Sequence, residues 1–250
     1  MLKQAKWRAL RGSTGSLDNV DALDLGADNG VISWLFRRAG GRWASADLTT
    51  ETTEAIRAMV GDEVYRVGDD ASLPFADERF DLIVVVDLLE HLEDDRRLLA
   101  EIGRCARIAG RVVLNVPHAK PGALLRHVRN VLGLTDVWHG HRHAGYTAQT
   151  LSALLPPTLR LRESYTYSRF FSHALDTALN WVNLRGSRGR AHSTAKGMVV
   201  TGGARSGGRA LRAAFPVMRA FAALDALIPW TSGYMLLATL ERVPGGSTRS

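Results

Sequence analysis

From Val20 to Val116, short apolar runs alternate with stretches whose apolar residues recur at helical spacing. That rhythm predicts β-α-β units building a parallel sheet. The predicted order opens with a strand over Val20 to Leu25, a helix from Gly30 to Ala39 with Ile32, Leu35 and Phe36 on one face, and a strand from Arg42 to Leu48. A helix from Thr53 to Val60 and a short strand from Glu63 to Val67 follow. The most apolar stretch, Asp81 to Leu89, has β-branched residues in succession without alternation, the mark of a strand covered on both faces. A helix from Asp94 to Arg104 and a strand from Arg111 to Val116 complete the run.

Beyond Pro117 the rhythm breaks. A helix is expected from Ala148 to Leu155 and a strand from Arg160 to Tyr167. Apolar helices are expected over Phe170 to Leu184 and Ala210 to Ile228, and a last strand over Tyr234 to Val243. Between the two apolar helices, the Gly, Arg and Ser-rich stretch from Arg185 to Gly208 buries little and reads as mobile, with GMVVT as an ordered island.

The 250 residues are 46% hydrophobic and 23% charged, enough for one domain with a sizeable core. A single cysteine, Cys105, forms no internal disulfide, and MLKQAKWRAL lacks the apolar centre of a secretory signal, so a cytoplasmic setting is expected. No run reaches the roughly 18 consecutive apolar residues of a membrane span, which leaves peripheral contact at the inner face of a membrane. Charge sharpens that reading. Between Arg169 and Arg212 there are eight Lys or Arg and one acid, Asp176, so this segment carries the whole net charge of +7. Around it, Arg209, Arg212 and Arg219 share one helical face, and Leu211, Phe215, Met218 and Ala222 another, with Pro216 either kinking the helix or beginning a new one. Residues 169–228 therefore suit an anionic membrane surface or a lipid-carried substrate, and equally a lid or an interface. Nucleic acid is disfavoured, because the basic stretch holds no interleaved aromatics for base stacking.

The chemistry concentrates in DLGADNG, Asp24 to Gly30, which ends a predicted strand and opens a helix. Glycines there let backbone approach a ligand, and the helix start offers unpaired N–H groups. Asp47 closes the second strand, where a carboxylate can accept both hydroxyls of a ribose. Together they point to a nucleoside-bearing cofactor. A dinucleotide fits less well, since the pattern GxGxxG finds Asp28 and Val31 in place of its later glycines. In GDDASLPF, Gly68 to Phe75, an aspartate can accept from an adenine amino group. So many carboxylates suit a cationic cofactor, and S-adenosylmethionine carries a sulfonium and an ammonium.

At LDLGADNG, Asp47, GDDASLPF and FDLIVVVDLLEHLED the chain resembles the class I S-adenosylmethionine-dependent methyltransferases, over Val20 to Val116 and more weakly to about Tyr167. The resemblance implies an α/β fold: a Rossmann-like doubly wound sheet, mostly parallel with an antiparallel last strand, and a helical insertion before that strand. A single domain would span residues 1–250, with its core in 18–168 and 234–243 and its basic insertion in 169–233. The resemblance further implies that Asp24, Gly26 and Gly30 shape the methionine pocket, Asp47 holds the ribose and Leu48 packs near adenine. Asp69 or Asp70 would meet the adenine amino group, and Asp87 to His91 would line the other side. Asp28 departs from the family pattern, which has glycine there, and brings a negative charge near the cofactor's ammonium.

Methyl transfer is an in-line displacement, so alignment dominates and a base is needed only for a weak nucleophile. His118, His91 and His141 are the candidate bases, and His143 and Tyr146 the candidate substrate contacts. His139, His141 and His143 alternate and would share one face of a strand, yet with no cysteine and few acids nearby they are not read as a metal site. Two readings of function stand side by side. One is a methyltransferase for a small molecule such as a lipid-linked sugar or cell-envelope intermediate. The other is a catalytically inactive cofactor-binding or scaffold protein whose insertion docks on a membrane or a protein.

Overall fold

The computed structural model describes residues 2–119, 142–143, 145–167, 191–194, 197–200 and 233–245. The predicted alternation becomes β1 (Asp21–Leu25), α2 (Val31–Ala39), β2 (Arg42–Asp47), α3 (Thr50–Val60), β3 (Val64–Arg66), β4 (Phe80–Val86), α4 (Asp95–Cys105) and β5 (Ala106–Pro117). After these come α5 (Ala148–Leu154), β6 (Leu159–Tyr167) and β9 (Met235–Arg242). A separate antiparallel pair, β7 (Ala191–Thr194) and β8 (Gly197–Val200), takes in most of the GMVVT island. The two apolar helices expected around that pair lie outside the described residues, as does nearly all of the basic insertion. No helix among the described residues is long and apolar enough to cross a membrane.

Seven strands make one sheet in the order β3-β2-β1-β4-β5-β9-β6, parallel throughout except β9, which runs antiparallel to both its neighbours. The order reverses beside β1, the switch point at which open α/β sheets bind ligands. β4 is buried along its apolar length because both faces are covered. Ile83 and Val85 pack with Leu98, Leu99 and Ile102 of α4, while Val84 and Val86 pack with Phe36 of α2 and Leu10.

Leu10 belongs to an element that the hydrophobic pattern left unmarked. Residues Leu2–Thr14 form α1, which lies before the expected core boundary at residue 18. It buries Ala9 and Leu10 and sets Trp7 edge-on to Phe36, with ring centroids 5.1 Å apart. The central strand also ends three residues earlier than its apolar run. At Asp87 the backbone turns left-handed, φ 45°, its N–H donates to the Asn115 carbonyl at 2.9 Å, and Leu89–His91 continue as a 3-10 turn. The apolar pattern carries on because Leu88 and Leu89 are buried beneath that turn.

Candidate active site

Gly26 follows β1 with φ 85°, and its N–H donates to the Ala46 carbonyl of β2 at 3.0 Å. Gly30, φ 74°, caps the start of α2 and packs on α3, where a Cβ would stand 2.9 Å from Ile56 Cα. Both turns therefore require glycine. Asp28 lies between them at φ 55°, the conformation a glycine would adopt, and aspartate is among the residues that tolerate it. Its residue is exposed and its N–H donates to Asp47 Oδ2 at 3.2 Å, so the departure from glycine leaves the loop's course intact.

Asp47 closes β2 and is buried, its Oδ1 accepting the Leu48 N–H at 2.7 Å. Beyond it, a hollow of about 370 Å³ is bordered by Leu48, Thr49, Arg66, Gly68, Asp69 and Leu92. Of the two candidate acids in this region, Asp69 faces the hollow, where it pairs with Arg66. Asp70 instead accepts the Ser72 N–H at 3.1 Å and pairs with Arg97 at 3.0 Å, so its carboxylate shapes the turn.

Asp24 lies beneath the loop, fully buried, and accepts from Ser33 Oγ at 2.7 Å, Ser45 Oγ at 2.8 Å and Arg37 Nη1 at 3.4 Å. It ties β1, α2 and β2 together from inside. Burial pushes its pKa up to about 6 against these donors. Raised above the unfolded value near 4, it favours the folded state fully below pH 4, and that contribution is lost as pH rises through 6. The difference is on the order of 3 kcal/mol. Asp24→Asn is expected to remove this slope between pH 4 and 6.5 in urea denaturation, and a slope unchanged in the variant would assign it to another group.

At the β4 exit, Asp87 accepts from Asn115 Nδ2 at 2.7 Å and from the Lys6 ammonium, and Asn115 Oδ1 accepts the Tyr167 hydroxyl. Burial pushes the Tyr167 phenol well above its ordinary range, which keeps it a donor. Lys6, Asn115 and Tyr167 were not among the sequence candidates. Asn115 is a polar break in the apolar run VVLNVP, a readable signal, and α1 carries a weak apolar spacing in Leu2, Ala5 and Ala9.

The histidines separate. His118 extends past β5, and its Nδ1 lies 2.8 Å from the Gly233 carbonyl. A carbonyl only accepts, so Nδ1 carries the proton and Nε2 is the basic nitrogen. His91 is half-buried in the 3-10 turn. His141, like His139, lies outside the described residues. His143 donates from Nε2 to the Leu92 carbonyl at 3.1 Å. Tyr146, expected at the substrate mouth, is only 3% exposed and donates its hydroxyl to Asp95 at 3.0 Å, so it anchors its segment to α4 and does not present its hydroxyl to a substrate. Thr147 caps α5 by accepting the Thr150 N–H. No cluster of three metal-ligating side chains occurs among the described residues.

Residues 23–114 match the family model of a methyltransferase domain. A malonyl-[acyl-carrier protein] O-methyltransferase from Hamiltonella defensa is 27% identical over 113 residues, covering 45% of this chain and 43% of that protein. A demethylmenaquinone methyltransferase from Thermobifida fusca is 31% identical over 117 residues, covering 45% and 48%. The matches to these two relatives thus span less than half their length. The crystal structure of an S-adenosylmethionine-dependent methyltransferase from Mesorhizobium loti superposes with a TM-score of 0.58 at 18% identity, covering 95% of this chain and 98% of that one, a likeness of fold. The glycine turns, Asp47 and the β4 exit all fall inside the matched segment, so over residues 23–114 the chain is similar to the methyltransferase-domain family.

Proposed function

We propose that the protein transfers a methyl group from S-adenosylmethionine to a small-molecule acceptor. The observation that carries this is the convergence of two left-handed glycine turns and a buried carboxylate, Asp47, at the carboxyl ends of β1 and β2. The site fits the cofactor: a Cβ at Gly26 or Gly30 would strike neighbouring backbone, and a hollow with an apolar border at Leu48 and Leu92 adjoins Asp47. When bound, S-adenosylmethionine supplies an electrophilic methyl group on a sulfonium. Asp47 would hold the ribose hydroxyls, and Asp69, with Leu48 and Leu92, would border the adenine. Asp24 would brace the glycine loop from below, and Asp28 would offer its backbone alongside. Asp87 would stand beside the methionine end, and His118 Nε2 would receive the proton of an acceptor hydroxyl at the carboxyl end of β5.

The acceptor we favour is a lipid-linked sugar or cell-envelope intermediate met at a membrane surface. The concentration of the net charge in residues 169–212 supports it. His143, whose Nε2 donates to the carbonyl of Leu92 at the border of the hollow, would contact the acceptor.

Calorimetric titration with S-adenosylmethionine, S-adenosylhomocysteine and NADH tests the first proposal. Binding of both adenosyl compounds without NADH is expected, and a folded protein that binds neither would sink it. For the second, association with vesicles containing anionic lipid should fall steeply between 50 and about 300 mM salt. Salt-insensitive association, or none, would return the insertion to the role of a lid or an interface.

A further inference from the structure

Three acids lie within electrostatic reach of Lys6: Asp28 on the glycine loop, Asp87 just past β4 and Glu90, buried in the 3-10 turn. Lys6 reaches this group from α1, with 13% of its side chain exposed, and donates to Asp87. Burial lowers its pKa, but Asp87, Glu90 and Asp28 outweigh burial and hold it above the ordinary value, so the group is an ammonium throughout the neutral range. Its partner is itself fixed, because Asp87 is held by Asn115 and Asn115 by Tyr167. A permanent positive charge is thereby built into a site whose proposed cofactor is also a cation.

The geometry points to Lys6 as a specificity-determining residue that sets how strongly the site distinguishes the sulfonium of S-adenosylmethionine from the neutral thioether of S-adenosylhomocysteine. The inference rests on the cofactor proposed above. The two compounds share adenosine, ammonium and carboxylate, and differ in one methyl group and one positive charge. Contacts to the shared groups cancel in the ratio of their affinities, and the charge does not. An ammonium competing for the same carboxylates opposes only the sulfonium. Removing it should favour S-adenosylmethionine, by up to about tenfold for charges several ångströms apart at an effective dielectric between protein and water.

Dissociation constants for both compounds, measured by calorimetry in wild type, Lys6→Met, Lys6→Gln, Lys6→Arg and Asp87→Asn, test this. The ratio of the S-adenosylhomocysteine constant to the S-adenosylmethionine constant should rise about five- to tenfold in Lys6→Met and Lys6→Gln and hold in Lys6→Arg. It should fall in Asp87→Asn, and the lysine effect should shrink at high salt. Circular dichroism and thermal midpoints show whether α1 stays folded, and Lys6→Gln keeps a donor for Asp87 should Lys6→Met not fold. A ratio unchanged in a folded Lys6→Met or Lys6→Gln would overturn the inference and make the lysine a fastener for α1. Wild-type protein that binds neither compound would overturn the cofactor proposal beneath it.

Discussion

Gly26→Ala is expected to cost about 3 kcal/mol or more of folding free energy and to abolish measurable cofactor binding. At φ 85° an added Cβ would lie 2.3 Å from the Val86 carbonyl oxygen and 2.9 Å from Leu88 Cβ. The left-handed conformation alone costs an alanine roughly 1 to 2 kcal/mol, and displacing packed backbone adds about 1 to 3. What must give way is the end of β4, the segment that carries Asp87. Asp28→Gly is the matching control, since that residue already holds a glycine-like φ of 55° and is exposed. Its stability should stay within about 0.5 kcal/mol of wild type. Urea denaturation compares the two, and equal midpoints would mean that the Gly26 turn relaxes without strain.

Asp47→Ala is expected to weaken S-adenosylmethionine binding by roughly 1.5 to 3 kcal/mol, the scale of a hydrogen bond to a charged group. The loss is tenfold to more than a hundredfold. It has two sources: the missing contact to ribose, and a loop no longer held through the Asp28 and Leu48 N–H groups that Asp47 accepts. Asp47→Asn separates them, because the amide keeps one acceptor for the backbone while replacing the other with a donor. Calorimetry showing wild-type affinity in Asp47→Ala would remove this residue from the cofactor site.

The parts of the site readable in the chain are those whose geometry demands a residue type. Gly26 and Gly30 sit where only glycine fits, and Asp47 closes a short strand that is buried from Trp43 onward. β4 was legible as a doubly covered strand because its β-branched residues follow one another without alternation, though its end was not. Apolarity records burial and not backbone direction, so Leu88 and Leu89 read as strand when they are the buried side of a turn. Lys6 was harder to see. Its helix, LKQAKWRALRGST, buries only Ala9, Leu10 and Thr14 among the described residues, and the meeting of Lys6 with Asp87 across 81 residues depends on how α1 docks on the sheet. The fate of Tyr146 also depended on tertiary contact, since Asp95, its partner, reads from sequence as a helix-start acid.

The placement of β9 has a consequence for biosynthesis. This strand, near the chain's end, lies between β5 and β6 and pairs with both from Met235 to Arg242. Until those residues emerge from the ribosome, β5 and β6 each expose an edge of unpaired peptide groups. At about 5 to 20 residues per second, translation from Pro117 to Met235 leaves the β5 edge open for on the order of ten seconds. Such an edge is a template for association with other chains. The seven-stranded sheet is therefore completed only when β9 enters between strands already made.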